Sequence, residues 1–208
     1  CWQVKGANGA GKSTLLSLIT ADNPQSYSQP LYLFGKKRGS GESIWDIKKK
    51  IGFVSPELQN YFDPNITVFQ TIASGYFDTM GLYRKLSERQ KQNVMDWLEY
   101  FSLSHLADNR LAELSTGNKR LAFIARALVK EPLILALDEP CQGLDNIKTQ
   151  QILKIVDEIF EKTGVTVLFI SHYDEDLPDC IEKILNLQNS YSNNYIIKNN
   201  KNIRLQAI

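Results

Sequence analysis

Two rhythms of apolar spacing run along the chain. Trp2 and Val4 alternate with polar neighbours, which predicts a strand, and a glycine-rich loop follows at 6–11. Residues 12–20 then predict a helix whose broad apolar face is Leu15, Leu16, Leu18 and Ile19. Residues 21–30 are rich in turn formers. A short strand is predicted at 31–34, closed by Gly35, and the basic, glycine-rich 36–43 predict a solvated loop. A strand at 51–54 and a helix at 67–77 come next. From 87 to 101 the spacing is helical: Val94, Trp97, Leu98 and Phe101 fall at i, i+3, i+4 and i+7, and Ser87 with Gln90 has capping-box spacing. Leu121, Ile124, Ala125 and Leu128 mark one face of a helix over 117–130.

Further on, the apolar runs become continuous. Residues 133–137 are wholly aliphatic, the pattern of a strand buried on both faces of a parallel sheet. Asp145 is placed to cap a helix in which Ile152, Ile155, Val156 and Ile159 keep helical spacing, and Gly164 is placed to end it. Two more strands are predicted at 165–170 and 184–187. Beyond 188 asparagine dominates, and 195–197 with 203–205 predict a hairpin turning at Asn199-Asn200. Strands alternate with helices, so the fold class is α/β with a mainly parallel sheet. Residues 66–111 are helical without buried strands. They predict a helical lobe inserted into a core of about 1–65 and 112–187, with 188–208 as a polar tail of the same single domain.

Composition narrows the function classes. With 208 residues, 43% hydrophobic and 23% charged, the chain has the apolar surface of an ordinary domain, which excludes a disordered one. Lys+Arg is 24 and Asp+Glu 23, so the net charge is +1 and no global field draws the chain onto nucleic acid or anionic lipid. The runs 133–137 and 165–170 fall far short of the roughly 20 residues a membrane span needs. The opening Cys1-Trp2-Gln3-Val4-Lys5 has no secretory leader pattern. Cys1, Cys141 and Cys180 are far apart in sequence, form no metal-ligand spacing, and suit a reducing, cytosolic setting. The chain does not begin with Met and reaches its glycine loop by Gly6, so it is expected to be a piece of a longer protein.

Gly6-Ala7-Asn8-Gly9-Ala10-Gly11-Lys12-Ser13 fits G-x-x-x-x-G-K-[ST] in full, after a predicted strand and opening a predicted helix. Glycines let successive N–H groups turn inward around a phosphate chain, and the helix N-terminus adds a positive end. Lys12 is expected to reach the β- and γ-phosphates, and the Ser13 hydroxyl to ligate Mg²⁺. The aliphatic strand 133–137 delivers Asp138 to the sheet's C-terminal edge, where it would hold Mg²⁺. Glu139 follows as the candidate to polarise the attacking water. Taken alone, such an acidic pair reads equally as a surface pair. His172 follows another buried strand and could bond the γ-phosphate or the water; on spacing alone it is also an ordinary loop histidine. His105 has no such context and reads as structural. Leu114-Ser115-Thr116-Gly117-Asn118 precedes a helix, where Ser115 serves either as an N-cap or, with Gly117, as an anion site.

In that order these elements resemble the ATP-binding-cassette (ABC) ATPases: 6–14 is similar to Walker A, 114–118 to the signature, 133–139 to Walker B, Gly143-Leu144-Asp145 to the D-loop and His172 to the switch histidine. The resemblance covers nearly all of 1–187. Within the family, Leu33-Phe34-Gly35-Lys36-Lys37-Arg38-Gly39-Ser40-Gly41-Glu42-Ser43-Ile44-Trp45-Asp46-Ile47-Lys48-Lys49 is similar to the molybdenum-transport branch, as are Ser74-Gly75-Tyr76-Phe77-Asp78 and Pro140-Cys141-Gln142-Gly143-Leu144-Asp145. The resemblance implies a P-loop core with an inserted helical signature lobe and the N-terminal strands truncated. It implies ATP and Mg²⁺ as ligands, with Gly6, Ala7, Asn8, Gly9, Ala10, Gly11, Lys12, Ser13 and Thr14 binding ATP. Ser13, Asp138 and Gln59 would hold the metal, and Glu139 and His172 would be catalytic. It also implies a second cassette paired head to tail, so that Ser115, Thr116, Gly117 and Asn118 serve the partner's ATP, with Asp145 in the D-loop between. A membrane permease is the implied further partner and nucleic acid is not expected. The expected location is the cytoplasm, at the inner face of the membrane. The expected function is energy coupling in a transporter, with molybdate as the implied cargo; the alternative is a non-transport ABC ATPase in DNA repair or regulation. Three departures stand out. Thr116 and Asn118 replace the signature's usual Gly and Gln. Ser55-Pro56-Glu57-Leu58 delays Gln59 after its strand. The family's adenine-stacking aromatic is expected upstream of the Walker A strand, and Trp2 sits too close to Gly6 to substitute for it.

Overall fold

The computed structural model describes residues 1–27, 30–171, 176–187 and 195–199. The chain opens with strand β1 (Trp2–Gly6), turns through the glycine loop and enters helix α1 (Lys12–Ile19). Leu31 and its neighbours give only a two-residue strand, β2 (Tyr32–Leu33), which pairs antiparallel with β3 (Lys36–Lys37) as a separate hairpin. The sequence assigns β3 to a solvated loop because basic residues and glycines mask a strand this short. Helix α2 (Ile44–Lys48) follows, closed by a capping box between Ser43 and Asp46. Strand β4 (Ile51–Val54) and helix α3 (Pro56–Gln59) come next.

Helices α4 (Val68–Ser74) and α5 (Glu88–Tyr100) occupy the middle of the chain, each with a complete capping box, Thr67 with Gln70 and Ser87 with Gln90. Helix α6 (Thr116–Leu128), β5 (Ile134–Asp138), helix α7 (Asn146–Thr163), β6 (Thr166–Ile170), β7 (Lys183–Leu187) and β8 (Tyr195–Asn199) complete the order. As expected, Asp145 caps α7 and Gly164 ends it in the left-handed region, at φ 66°.

The main sheet runs β4-β5-β6-β1-β7-β8. All neighbours are parallel except β8, which lies antiparallel to β7 with Leu185 opposite Ile197. The expected tail hairpin is therefore corrected in part: 195–197 pairs with β7, and 203–205 lies outside the described residues. The physical reason is that β7 offers a long free edge, whereas a two-stranded hairpin is marginal alone.

Period-two alternation gives the sheet two different faces. Ala136 joins Val4, Leu16 and Ile170 beneath α1. Leu135, Leu137, Val167 and Phe169 enter the larger cluster, with α6 and α7 against them. Helix α6 is buried at every position from Arg120 to Leu128, and Phe62 packs edge-on to Phe123 at 4.9 Å. A fully buried side chain of this size contributes about 1.5–3 kcal/mol, so α6 is anchored by its packing and only secondarily by its polar first turn. Gly75 marks where α4 meets α6: a Cβ there would stand 2.0 Å from the Arg126 carbonyl oxygen. Arg126 donates to Ser74 Oγ at 3.0 Å and to the Thr79 carbonyl at 3.1 Å and stacks over Phe62. Lys130 pairs with Asp78 and also donates to the Lys48 carbonyl, at 2.7 Å.

Candidate functional site

Parallel register decides where the chemistry gathers. Val54 lies beside Leu137, Asp138 beside Ile170 and Val4 beside Ile170, so β4, β5, β6 and β1 all end at one edge. The segments that leave that edge are the glycine loop, the turn after Val54 and the acidic pair.

The glycine loop is shaped by three requirements. Gly6 sits where the loop leaves the sheet, and a Cβ there would be 2.8 Å from the Leu187 carbonyl oxygen and 2.9 Å from Ala10 Cβ. Gly9 and Gly11 take φ of 82° and 97°, a region that favours glycine, and a Cβ on either would meet nothing within 4 Å. Open space thus lies over the loop at both positions. Gly11 is the N-cap of α1 and brings no capping side chain, so the first-turn N–H groups of α1 are left to a ligand or water. Lys12 Nζ donates to the carbonyls of Gly6 at 2.7 Å and Ala7 at 3.2 Å, folding back over the loop it belongs to.

The opposite wall is the turn after β5. Glu139 adopts φ 47°, uncommon for a residue with a Cβ and worth roughly 1–2 kcal/mol of strain. Two bonds hold it: Glu139 N–H donates to the Ile170 carbonyl at 2.9 Å, and Gln142 N–H donates to the Glu139 carbonyl at 3.1 Å. Asp138 and Glu139 are both half-buried. Between loop and turn lies a cleft of about 430 Å³. Asn8, Gly9, Gly11, Lys12, Ser13 and Thr14 line one side, and Asp138, Glu139 and Gln142 the other.

The third wall was not foreseen. It is made by Pro56 and Glu57, whereas Gln59 is absent from the lining. Ser55 Oγ accepts from Leu58 N–H at 3.2 Å and Pro56 opens α3, so the chain coils directly after β4 and carries Gln59 away. The Gln59 Nε2 atom is buried with no hydrogen-bond partner in the structure. The Ser-Pro pair was the available sequence signal for this turn; for Gln142 there was none beyond its place after the acidic pair.

The signature residues stand apart from the cleft. Ser115 is the N-cap of α6, its Oγ accepting from Asn118 N–H at 3.3 Å; Ser115 and Thr116 are exposed. Gly117 is buried under Lys148 of α7, whose Cδ would be 2.9 Å from a Cβ at Gly117. Lys148 N–H in turn donates to Asp145 Oδ1 at 2.8 Å. The structure therefore brings the signature and Asp145 together, and brings neither to the glycine-loop cleft. His172 lies outside the described residues. His105 is exposed in a short 3-10 turn, away from the cleft lining.

The donor set suits a hard divalent cation, since Asp138 offers carboxylate oxygens and the exposed Ser13 a hydroxyl, with no soft ligand in the lining. The open space over Gly9 and Gly11 suits a phosphate chain.

A family model described as ABC transporter matches residues 1–142. The chain is 51% identical over 181 residues to the ABC transporter ATP-binding protein ModF of Escherichia coli, covering 86% of this chain and 37% of that protein. It is 33% identical over 192 residues to the ABC transporter ATP-binding protein YlmA of Bacillus subtilis, covering 90% of this chain and 71% of the relative. Among solved structures, cbiO1 of Clostridium perfringens, part of the ABC transporter complex cbiONQ, superposes with a TM-score of 0.75 at 28% identity, over 89% of this chain and 72% of that one. The chain thus spans under two-fifths of the ModF protein it matches.

Proposed function

The chain belongs to the ABC transporter family, with the fold of an ABC ATPase cassette, and from that premise we propose that its cleft binds ATP with Mg²⁺ and hydrolyses it to drive a membrane transporter. One observation carries the reading: the glycine loop and the acidic pair, about 125 residues apart in sequence, face each other across one cleft. In this reading residues 6–14 wrap the phosphates and Lys12 exchanges its two loop carbonyls for phosphate oxygens. Ser13 and Asp138 hold Mg²⁺, which when bound neutralises charge on the phosphates. Glu139 orients and polarises the attacking water, and His172 assists it. Pro56 and Glu57 stand where the metal-sensing glutamine was expected, so we assign that wall to Glu57 in place of Gln59.

Ser115, Thr116, Gly117 and Asn118 serve the ATP of a second cassette. What supports this is that none of the four lines the chain's own cleft, and that Gly117 packs under Lys148, whose N–H bonds Asp145. Residues 66–111 are the proposed helical lobe, and the signature follows directly after it at 114–118. A permease is the further partner, which places the protein at the inner face of the membrane. A second cavity of about 440 Å³ supports that contact, because it shares Glu57 with the cleft and is lined by Tyr61 and Met80, exposed by 70% and 41%. No helix among the described residues is long and apolar enough to cross a membrane. Molybdate is the proposed cargo, on the likeness of 33–49 to the molybdenum-transport branch. Action on DNA is not favoured, given a net charge of +1.

The test is ATP hydrolysis by the full-length protein with its permease in vesicles, with and without molybdate. Hydrolysis stimulated by permease and molybdate together supports the reading. Hydrolysis indifferent to permease and molybdate removes the transport assignment, and no hydrolysis under any condition removes the catalytic one.

A further inference from the structure

Two thiols outside the cleft meet at the far end of the sheet. Cys1 leads into β1 and Cys180 sits in the turn before β7; their Sγ atoms are 2.7 Å apart across a sequence separation of 179. Both are free thiols. An S–S bond is about 2.05 Å long, so joining them needs a movement of well under one ångström. The backbone on each side is already fixed. The Cys1 carbonyl accepts from Glu182 N–H at 3.2 Å and Lys183 N–H at 3.3 Å. Cys180 N–H donates to Asp157 Oδ1 at 2.7 Å, and Asp179 N–H to Oδ2 of the same carboxylate at 3.1 Å. Cys1 is buried and Cys180 half-buried, so an external reagent reaches Cys180 first. Burial, with the nearby Asp157, pushes the Cys180 thiol up to about 12. The pair therefore stays reduced until an oxidant is present, and reacts with it faster as the pH rises.

We propose that Cys1 and Cys180 form an oxidisable dithiol that reacts with a small disulfide such as oxidised glutathione and closes to an internal disulfide tying the start of β1 to the turn before β7. The Cys180 thiol loses its proton and attacks one sulfur of the small disulfide. That S–S bond breaks, one glutathione thiolate leaves, and a mixed disulfide remains on Cys180. The Cys1 thiol then loses its proton and attacks Cys180 Sγ, expelling the second glutathione. Two protein thiols are oxidised and one small disulfide is reduced to two thiols. The tie spans almost the whole described chain, which is where a cross-link restricts the unfolded state most. It sits at the opposite end of β1 from Gly6, so it braces the strand that carries the glycine loop without entering the cleft.

The experiment is treatment of the full-length protein with oxidised glutathione at mildly alkaline pH, followed by acid quenching and digestion without reduction. The expected product is a single peptide pair joining Cys1 to Cys180, two hydrogens lighter than the separate peptides. The melting temperature should rise, fall back with dithiothreitol, and fail to rise in Cys180→Ser. Cys1→Ala should stop at the mixed disulfide on Cys180. Glutathione left on Cys180 in the parent protein, a cross-link through Cys141, or a Cys1–Cys180 bond with unchanged melting would overturn the proposal.

Discussion

Lys12 shows what a single side chain does here. Its ammonium holds the Gly6 and Ala7 carbonyls and, in the proposed reading, releases them to take phosphate, so Lys12→Ala removes a cation from the glycine-loop side of the cleft. Hydrogen bonds to charged groups are worth about 1.5–3 kcal/mol, so ATP affinity should fall on the order of 100-fold. Calorimetry with ATP–Mg²⁺ measures this, and unchanged affinity would remove Lys12 from the site. Asp138→Asn should behave differently. An amide is a poor ligand for a hard cation, so binding with Mg²⁺ should weaken more than binding in EDTA; equal losses would remove Asp138 from the metal. These residues were legible because the loop motif is contiguous and the carboxylate follows an aliphatic strand directly. Glu57 was not, because it enters the cleft through a helical turn set by Ser55 and Pro56, which a spacing counted from β4 does not register.

Among the elements, α6 combines a local signal with a tertiary one. Ser115 caps it, so Ser115→Ala should cost about 1 kcal/mol in denaturant unfolding while ATP binding in the same chain's cleft is unchanged. Ser115→Arg should also spare that binding yet stop hydrolysis, because the long cation obstructs closure of a second cassette; loss of its own ATP binding would contradict head-to-tail pairing. Gly75→Ala tests the α4–α6 contact, where the 2.0 Å approach to a backbone oxygen leaves no room. A destabilisation of about 3 kcal/mol is expected, and a loss below 1 kcal/mol would mean the two helices separate easily. The long helices and buried strands were readable from periodicity and caps, as Ser87, Asp145 and Gly164 show. Of the β2–β3 hairpin only β2 was read, and β3 and α2 were not, since β3 has no apolar position and α2 spans little more than one turn. The pairing of β8 with β7 depended on an open sheet edge, and a sequence read along the chain does not display which strand lies outermost.

In the whole molecule, the signature residues do not line the cleft, and the proposed reading divides the parts of one reaction between two nucleotide sites. A sheet whose strands end together supplies the glycine loop, Asp138 and Glu139; α6 and the turn before α7 carry Ser115, Gly117 and Asp145 elsewhere. In the proposed reading, closure of two cassettes on ATP would complete each site, and hydrolysis would reopen them. In the proposed reading, opening depends on Glu139, and the amide counterpart would keep the side chain's shape while removing the charge that polarises water. The decisive measurement is ATP turnover and retained nucleotide in full-length protein carrying Glu139→Gln. Turnover should fall by roughly 10²–10⁴, the usual range for losing a general base, while ATP–Mg²⁺ remains bound and the closed pair accumulates. Turnover at the parent rate, with no accumulation of bound ATP, would contradict the assignment of Glu139 and of this cleft as the hydrolytic site.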